Sequence, residues 1–498
     1  MKIYKALLVF TVACLLFTSC FEDNDDNAIS ASQLNDFVWK GMNIFYLYKD
    51  NVPDLANDRF SSNGEYGEYL NSFSSPEEQF ESLIFQRQSV DRFSWITDDY
   101  IALEQSFQNI SATNGMEYLL APLRSGESNR YGVVTHVLPE TSAERNGIKR
   151  GDIFYGINGT QLFFNSSTDN NYDLLRLSSY TINFGVYNNN GTTNTSVDDF
   201  IEETSESVDL VKEEYIENPI FINKVVETGE KKIGYLMYNG FTGSSQQLND
   251  VFGSFKNSGI DDLVVDLRYN PGGFVSKAIL FSSLITGQFT GQVHNTEEWN
   301  AEIQTAIEDN DPEFLINRYI DNEDGMSLNS LNLDRVFILA TRSSASASEL
   351  VINSLDPYIN VVHIGTNTSG KYQASRTVYD SEDFGRDGAD PTHTYAMQPL
   401  VYKTININGV TDYFNGLTPD IELGEQFTNM GVLGDIDEPL LAEAISQIIA
   451  TGKSSNAKSN NLNFLDVDAD SNEFAPFRKG MYSDKKIPKV LVNKLVFE

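Results

Sequence analysis

Apolar positions along the first hundred residues recur at helical spacing. Phe37, Met42, Ile44, Phe45 and Leu47 make one apolar face that stops before Pro53. Ser75-Pro76-Glu77-Glu78 opens a second helix, with proline in its first turn and acids at its positive end; Phe80, Leu83 and Ile84 supply the apolar side. Residues 31–108 therefore read as a helical N-terminal domain, and nothing in them points to chemistry. Between residues 109 and 208 the pattern shortens to strands and turns. Residues 131–138 form a strand, followed by a short helix opening near Ser142-Ala143 and the turn Gly147-Ile148-Lys149-Arg150-Gly151-Asp152. A further strand closes in the hairpin turn Ile157-Asn158-Gly159. Glycine suits such turns because it takes positive φ at little cost.

From about residue 209 to 452 apolar runs of strand length alternate with amphipathic helices, the pattern of an α/β layer fold. Strands are expected at 233–238, 262–267, 336–340 and 361–364. Leu248, Val251, Phe252 and Phe255 mark one helix face, residues 275–284 a second helix, and a third follows residue 340. Residues 453–461 are polar and read as a linker. The mixed stretch beyond them ends in a strand candidate at 490–497, and no role attaches to it.

Charge and cysteine usage narrow the function classes. Thirty-five basic against 71 acidic side chains leave a net charge of −36, which argues against nucleic acid because nothing would neutralise phosphates. Lys2 and Lys5 precede an apolar run, residues 6–17, too short to cross a bilayer, so residues 1–20 read as a signal peptide. The run ends Phe17-Thr18-Ser19-Cys20, small residues before a cysteine, as in a lipoprotein signal; Phe17 stands where leucine is usual. Cys20 is then the lipid-anchored first residue, and the acidic residues 21–30 a tether. Cys14 and Cys20 are the only cysteines, so a mature chain has no internal disulfide and no thiolate metal site.

Three segments of the α/β region carry candidate chemistry, each after an expected strand, where open α/β sheets build their sites. Asp266-Leu267-Arg268-Tyr269-Asn270-Pro271-Gly272-Gly273 turns sharply through paired glycines. Such a turn can present backbone N–H groups to an oxyanion, or simply join a strand to a helix. Ser343-Ser344-Ala345-Ser346-Ala347-Ser348-Glu349 opens a helix. There Ser346 can present its hydroxyl beside the Ala347 N–H, or merely cap the helix with Glu349 in a capping box. Thr368-Ser369-Gly370-Lys371 is a loop whose lysine is a base only if burial or nearby positive charge keeps its amine neutral, and otherwise a surface charge.

Taken together, these three segments, the turn-rich stretch at 139–159 and the later Gly416-Leu417-Thr418-Pro419-Asp420 resemble the carboxy-terminal processing (tail-specific) serine peptidases. Lys371 follows Ser346 by 25 positions, the separation that family shows between nucleophile and base. The resemblance implies a multidomain α+β chain with a helical N-terminal domain, a PDZ-like β domain at 109–208 and a crotonase-like α/β (ββα) peptidase domain at 209–452. Residues 453–498 would be a linker and tail. It implies Ser346 as nucleophile, Lys371 as general base, and Gly272 (or Gly273) and Ala347 as oxyanion donors. Many members carry a glutamine four positions after the lysine to orient it; here Ser375 stands there and Gln373 lies two positions earlier, so either could take the role. The substrates implied are proteins or peptides with exposed C-termini captured by the PDZ-like domain, with no cofactor or metal, in the cell envelope. Three rivals remain: a Ser-His-Asp hydrolase drawing on His136, His294, His363 or His393, a lipid-anchored PDZ surface protein that binds peptides or glycans without cleaving them, and a structural outer-membrane role.

Overall fold

The computed structural model describes residues 31–192, 197–450, 464–475, 477 and 480–487. The signal peptide, the Cys20 anchor, the acidic tether, the 453–461 linker and the strand expected at 490–497 lie outside these residues. Among the described residues no helix is long and apolar enough to cross a membrane.

The N-terminal region holds helices α1 (Ala31–Phe45) and α2 (Pro76–Ser82) and a short strand β1 (Trp95–Thr97). Ser75 caps α2 by accepting the Glu78 N–H at 3.2 Å, as Ser-Pro-Glu-Glu foretold. The region does not stand apart. Phe37, Val38, Met42 and Phe45 of α1 share one core with Leu236, Val265 and Ile338 of the α/β unit. Strand β1 pairs antiparallel with residues 396–398, three hundred positions later.

The next unit is a β-sheet built from β2 (Met116–Ala121), β3 (Tyr131–Val137), β4 (Ile153–Ile157), β5 (Ser179–Asn188) and β6 (Phe200–Val211). A one-turn helix, α3 (Ser142–Arg145), lies between β3 and β4. Asn158 and Gly159 take φ of +51° and +74°, which two-residue hairpin turns require. Strand order is β6-β5-β4-β3-β2, and the outer edge of β2 receives a short strand from the far end of the chain.

Two further sheets form the α/β unit. The first runs through β7 (Ile220–Thr228), β8 (Lys231–Tyr238), β9 (Asp262–Asp266), then strands at 335–340, 360–365 and 421–422; all its pairs but β7–β8 are parallel. Its four central strands are largely buried on both faces, so successive residues serve different cores. Leu263 and Val265 pack with α1, whereas Val264 packs with Leu440, Leu441 and Ile445 on the other side. The expected helices appear as α4 (Ser245–Ser258) and α5 (Val275–Ile285), with β10 (Gly272–Phe274) just before α5. The second sheet adds β11 (Val293–Trp299), β12 (Ile316–Arg318), and strands at 373–375, 400–405 and 480–482 to β10. The remaining elements follow in order: β13 (Arg335–Ala340), α6 (Ala347–Leu355), β14 (Asn360–Gly365), β15 (Gln373–Ser375), β16 (Ala396–Gln398), β17 (Leu400–Ile405), β18 (Ile421–Glu422) and α7 (Pro439–Ile449).

The C-terminal stretch, which the sequence left without a role, is woven into both units. β19 (Ala469–Asp470) pairs antiparallel with β2, and β20 (Gly480–Tyr482) lies buried between β10 and β15, parallel to both. Each strand of this stretch is only two or three residues long, so no periodic pattern can announce it.

Candidate active site

The loop after β9 and the loop between β13 and α6 meet at the carboxyl end of the first sheet. Asn270 staples them. Its Nδ2 donates to Tyr238 O at 2.7 Å, its Oδ1 accepts the Gly272 N–H at 2.9 Å, and its carbonyl accepts the Ala345 N–H at 3.1 Å and the Ser348 hydroxyl at 3.0 Å. The Ser344 hydroxyl donates to Leu267 O at 2.7 Å and accepts the Thr341 N–H at 2.9 Å. Two of the three serines in Ser344-Ala345-Ser346-Ala347-Ser348 thus tie the loops together.

Ser346 differs from both neighbours. Its Oγ is buried and has no hydrogen-bond partner among the described residues. An orphan hydroxyl in an interior is uncommon and calls for a reason. Its backbone is at φ +61°, ψ −114°, outside the regions open to an L-residue. Such a conformation costs about 1–3 kcal/mol and persists only where the surroundings impose it. Of the capping box that the sequence left open, the Glu349 half is a full hydrogen bond: Glu349 Oε2 accepts the Ser346 N–H at 2.8 Å. Ala347 is the first helical residue of α6 and, by position, has no intrahelical acceptor for its N–H.

Lys371 lies on the loop between β14 and β15 and is only 1% exposed. Both side chains line one cleft of about 580 Å³, together with Pro271, Arg342, Arg92 and Phe93. Lys371 Nζ stands 5.0 Å from the centre of the Phe93 ring. None of the four histidines lines this cleft. His136 stacks on Tyr269, and His294 bonds to Asn295 and Ser282. His363 packs within β14 with its Nε2 3.2 Å from Ala340 O, and His393 pairs with Asp380.

Glu349 joins the two loops. Its fully buried carboxylate accepts from Ser346 N, from the Thr368 hydroxyl at 2.5 Å, from Gly370 N at 2.7 Å and from Lys371 N at 2.9 Å. Burial pushes its pKa up to about 7, against the pull of those four donors. The motif Gly416-Leu417-Thr418-Pro419-Asp420 braces the lysine loop from behind: the Leu417 N–H bonds the Thr368 hydroxyl at 2.7 Å, and Asp420 accepts the His363 N–H at 2.8 Å.

Gln373 and Ser375 turn elsewhere. Gln373 Nε2 donates to Tyr48 Oη at 2.9 Å, while its Oε1 has no partner among the described residues and so takes no bond from Lys371. The Ser375 hydroxyl donates to Met481 O at 3.3 Å. Gly272 abuts the serine, but its N–H is held by Asn270.

Sequence reasoning missed Arg92 and Phe93, which come from the region that seemed empty of chemistry. The Arg92 guanidinium donates to Ser369 O, Gly370 O and Phe414 O, each at 3.2 Å, clamping the lysine loop. No local pattern marks them. It also missed the ion cluster under the cleft. There Arg268, fully buried, binds Asp266 and, through both terminal nitrogens, Glu438, at 2.6 and 2.9 Å. Arg150, from the Gly-Ile-Lys-Arg-Gly-Asp turn of the β unit, reaches the same cluster through Glu425 at 2.7 Å. The charges at Arg268 and Arg150 were legible, but apart from Asp266 their acidic partners, Glu425 and Glu438, lie over a hundred residues away.

Comparison with known proteins fits this geometry. Over residues 33–95 the chain matches the Peptidase S41 N-terminal domain, and over 232–423 it matches Peptidase family S41. It is 24% identical over 329 residues to a "Probable CtpA-like serine protease" of Staphylococcus aureus strain N315, covering 65% of this chain and 56% of that protein. It is 25% identical over 187 residues to a "Tail-specific protease" of Haemophilus influenzae, covering 37% of this chain and 24% of that one. The chain thus spans little more than half the length of the first of these relatives. The crystal structure of a protein named "Putative S41 protease" from Bacteroides fragilis NCTC 9343 superposes with a TM-score of 0.61 at 22% identity, over 83% of this chain and 96% of that one, a likeness of fold. The matched stretch holds both the serine loop and the lysine loop, and the chain belongs to peptidase family S41.

Proposed function

We propose that the protein is a serine endopeptidase in which Ser346 is the nucleophile and Lys371 the general base, acting on proteins near exposed C-termini. The observation that carries this reading is the unpartnered, strained Ser346 hydroxyl in the same cleft as a buried lysine. A lysine works as a base only when its amine can be neutral, and burial is the condition for that. In the proposed reaction the Lys371 amine takes the Ser346 proton as Oγ attacks the scissile carbonyl. The oxyanion rests on the Ala347 N–H at the mouth of α6, joined by the Gly272 N–H once Asn270 releases it. Collapse breaks the C–N bond, the lysine returns its proton to the leaving amine, and water hydrolyses the acyl ester to restore the serine. Gln373 holds Tyr48 rather than the lysine amine.

The β unit is read as PDZ-like from its order of strands, short helix and glycine turns. It would add a substrate tail as a strand to β2, with the Gly115 loop ahead of it receiving the carboxylate. Anchoring through Cys20 would place the enzyme in the cell envelope.

The test is cleavage of a denatured reporter protein by purified variants. Ser346→Ala and Lys371→Ala should each abolish cleavage, while Ser344→Ala and Ser348→Ala should lower stability and keep measurable turnover. Full activity in either of the first two refutes that residue's role; loss in all four with the fold intact would remove the basis for choosing Ser346.

A further inference from the structure

The C-terminal segment crosses the cleft on its way between the two units. Ala469 and Asp470 stand opposite Leu120 and Leu119 of β2, and the Asp468 N–H donates to Leu120 O at 3.1 Å. The Ser471 hydroxyl accepts the Tyr118 N–H at 3.3 Å and bonds Glu117, and Asp468 is ion-paired with Arg130. The direction matters. Residue numbers rise along the segment as they fall along β2 toward Gly115, so the segment runs antiparallel toward the loop that would hold a ligand's terminus. At the end of that run Phe474 enters the apolar core of the β unit. It stacks on Tyr118 (ring centres 6.2 Å apart), meets Tyr172 edge-on at 5.4 Å and lies under the Arg176 guanidinium. Between Phe474, Thr113, Asn114, Met116 and Lys212 is a small cavity of about 40 Å³.

Without this segment β2 would be an exposed edge, with its outward N–H and C=O groups ready to pair with any extended chain. The segment's side chains also face the chemistry: Leu465, Val467, Asp470 and Glu473 line the cleft with Ser346 and Lys371. Its acids Asp466, Asp470 and Glu473 share the cleft walls with Arg92 and Arg342, and Asp468 pairs with Arg130 beside β2. Farther on, β20 is a central strand of the second sheet, so the chain is held on both sides of the crossing and its local concentration at β2 is high.

We propose that residues 465–474 are a built-in competitor that occupies, in cis, the strand edge and apolar pocket where a substrate's C-terminal segment would dock, with Phe474 filling the place of the ligand's terminal apolar side chain. A substrate must then displace the segment, and its apparent affinity is lowered by the fraction of time the segment is bound. This rests on the reading of β2 as the peptide-docking edge.

The experiment uses the full chain carrying Ser346→Ala and a fluorescein-labelled dodecapeptide ending in a free Phe-Val-Ala, with its C-terminally amidated twin as control. Loosening the segment with Asp468→Ala and Phe474→Ala should tighten binding of the free-acid peptide about tenfold. Fixing the segment with Leu119→Cys and Asp470→Cys, which stand directly opposite each other, should abolish binding when oxidised and restore it on reduction. Equal binding by the parent, the loosened and the oxidised chains overturns the proposal. Reporter cleavage by the same variants with Ser346 intact separates the two readings. Binding that follows the segment without any cleavage overturns the peptidase reading alone; cleavage that is indifferent to both loosening and tethering overturns the competitor alone.

Discussion

A β-carbon placed on Gly272 would stand 2.6 Å from the β-carbon of Ser346. The glycine is at φ +116°, so its backbone approaches the serine as no other residue could allow. Gly272→Ala is therefore expected to push the serine loop away or strain both chains. Turnover of a reporter should fall by about 10²-fold, the cost of an ångström-scale misplacement, with the cleft otherwise folded. Circular dichroism and reporter cleavage on the same preparation check this; wild-type kcat would show that the contact does not position the serine.

Glu349 is expected to act as a positioning residue, since one carboxylate holds the backbone of both the nucleophile and the base. Glu349→Gln puts an amide NH₂ among four donors and should lower kcat by at least about tenfold while leaving KM nearly unchanged. Because burial raises its pKa to about 7, acidification through that value protonates it and adds a fifth hydrogen to the same cluster. The wild type should lose kcat on the acid side of about 7, and Glu349→Gln should lose the part of that limb centred near 7, keeping only the fall that protonation of Lys371 brings. A parallel drop in kcat and stability with no change in profile would leave Glu349 a purely structural acid.

The buried Arg268–Glu438 pair is expected to be costly to break. Both partners are inaccessible and joined by two bonds, so Glu438→Ala leaves a guanidinium short of a counter-charge in an apolar interior. Urea unfolding should show a loss of about 3–5 kcal/mol. Less than about 1 kcal/mol would mean that Asp266 and Glu425 suffice to hold the arginine.

His294 should make the fold acid-sensitive. Burial lowers its pKa to about 4 from an ordinary 6.5. On acidification the unfolded chain takes up the proton first, so stability is whole above 6.5 and falls as pH drops toward 4. One such site contributes about 3 kcal/mol to that loss. Urea midpoints from pH 7 to 4 for wild type and His294→Asn check it: the variant should start lower and fall less steeply. Parallel curves would mean that His294 does not drive the acid limb.

Much of the α/β unit can be read from local pattern. The strands expected at 233–238, 262–267, 336–340 and 361–364 occur within one or two residues of their places, because each is a short run buried on both faces and its hydrophobicity cannot be hidden. The serine and lysine loops were legible for a related reason: small residues and glycines in a row after a strand mark a backbone that must turn tightly and leave room. The choice among three serines was open to resemblance but not to local physics, since all three could equally cap or pack.

Sequence by itself determined where the chain must be strand or helix and where it offers reactive groups, because those properties reside in side-chain size, polarity and spacing over a few residues. Only the tertiary structure decided which groups meet. Arg92 reaches across to residues 369, 370 and 414, Phe93 lies beside Lys371, and Gly480–Tyr482 slips between two strands that come more than a hundred residues earlier. Backbone hydrogen bonds and burial drive these encounters, and neither depends on a local motif; they depend on which edges and faces the rest of the fold leaves open.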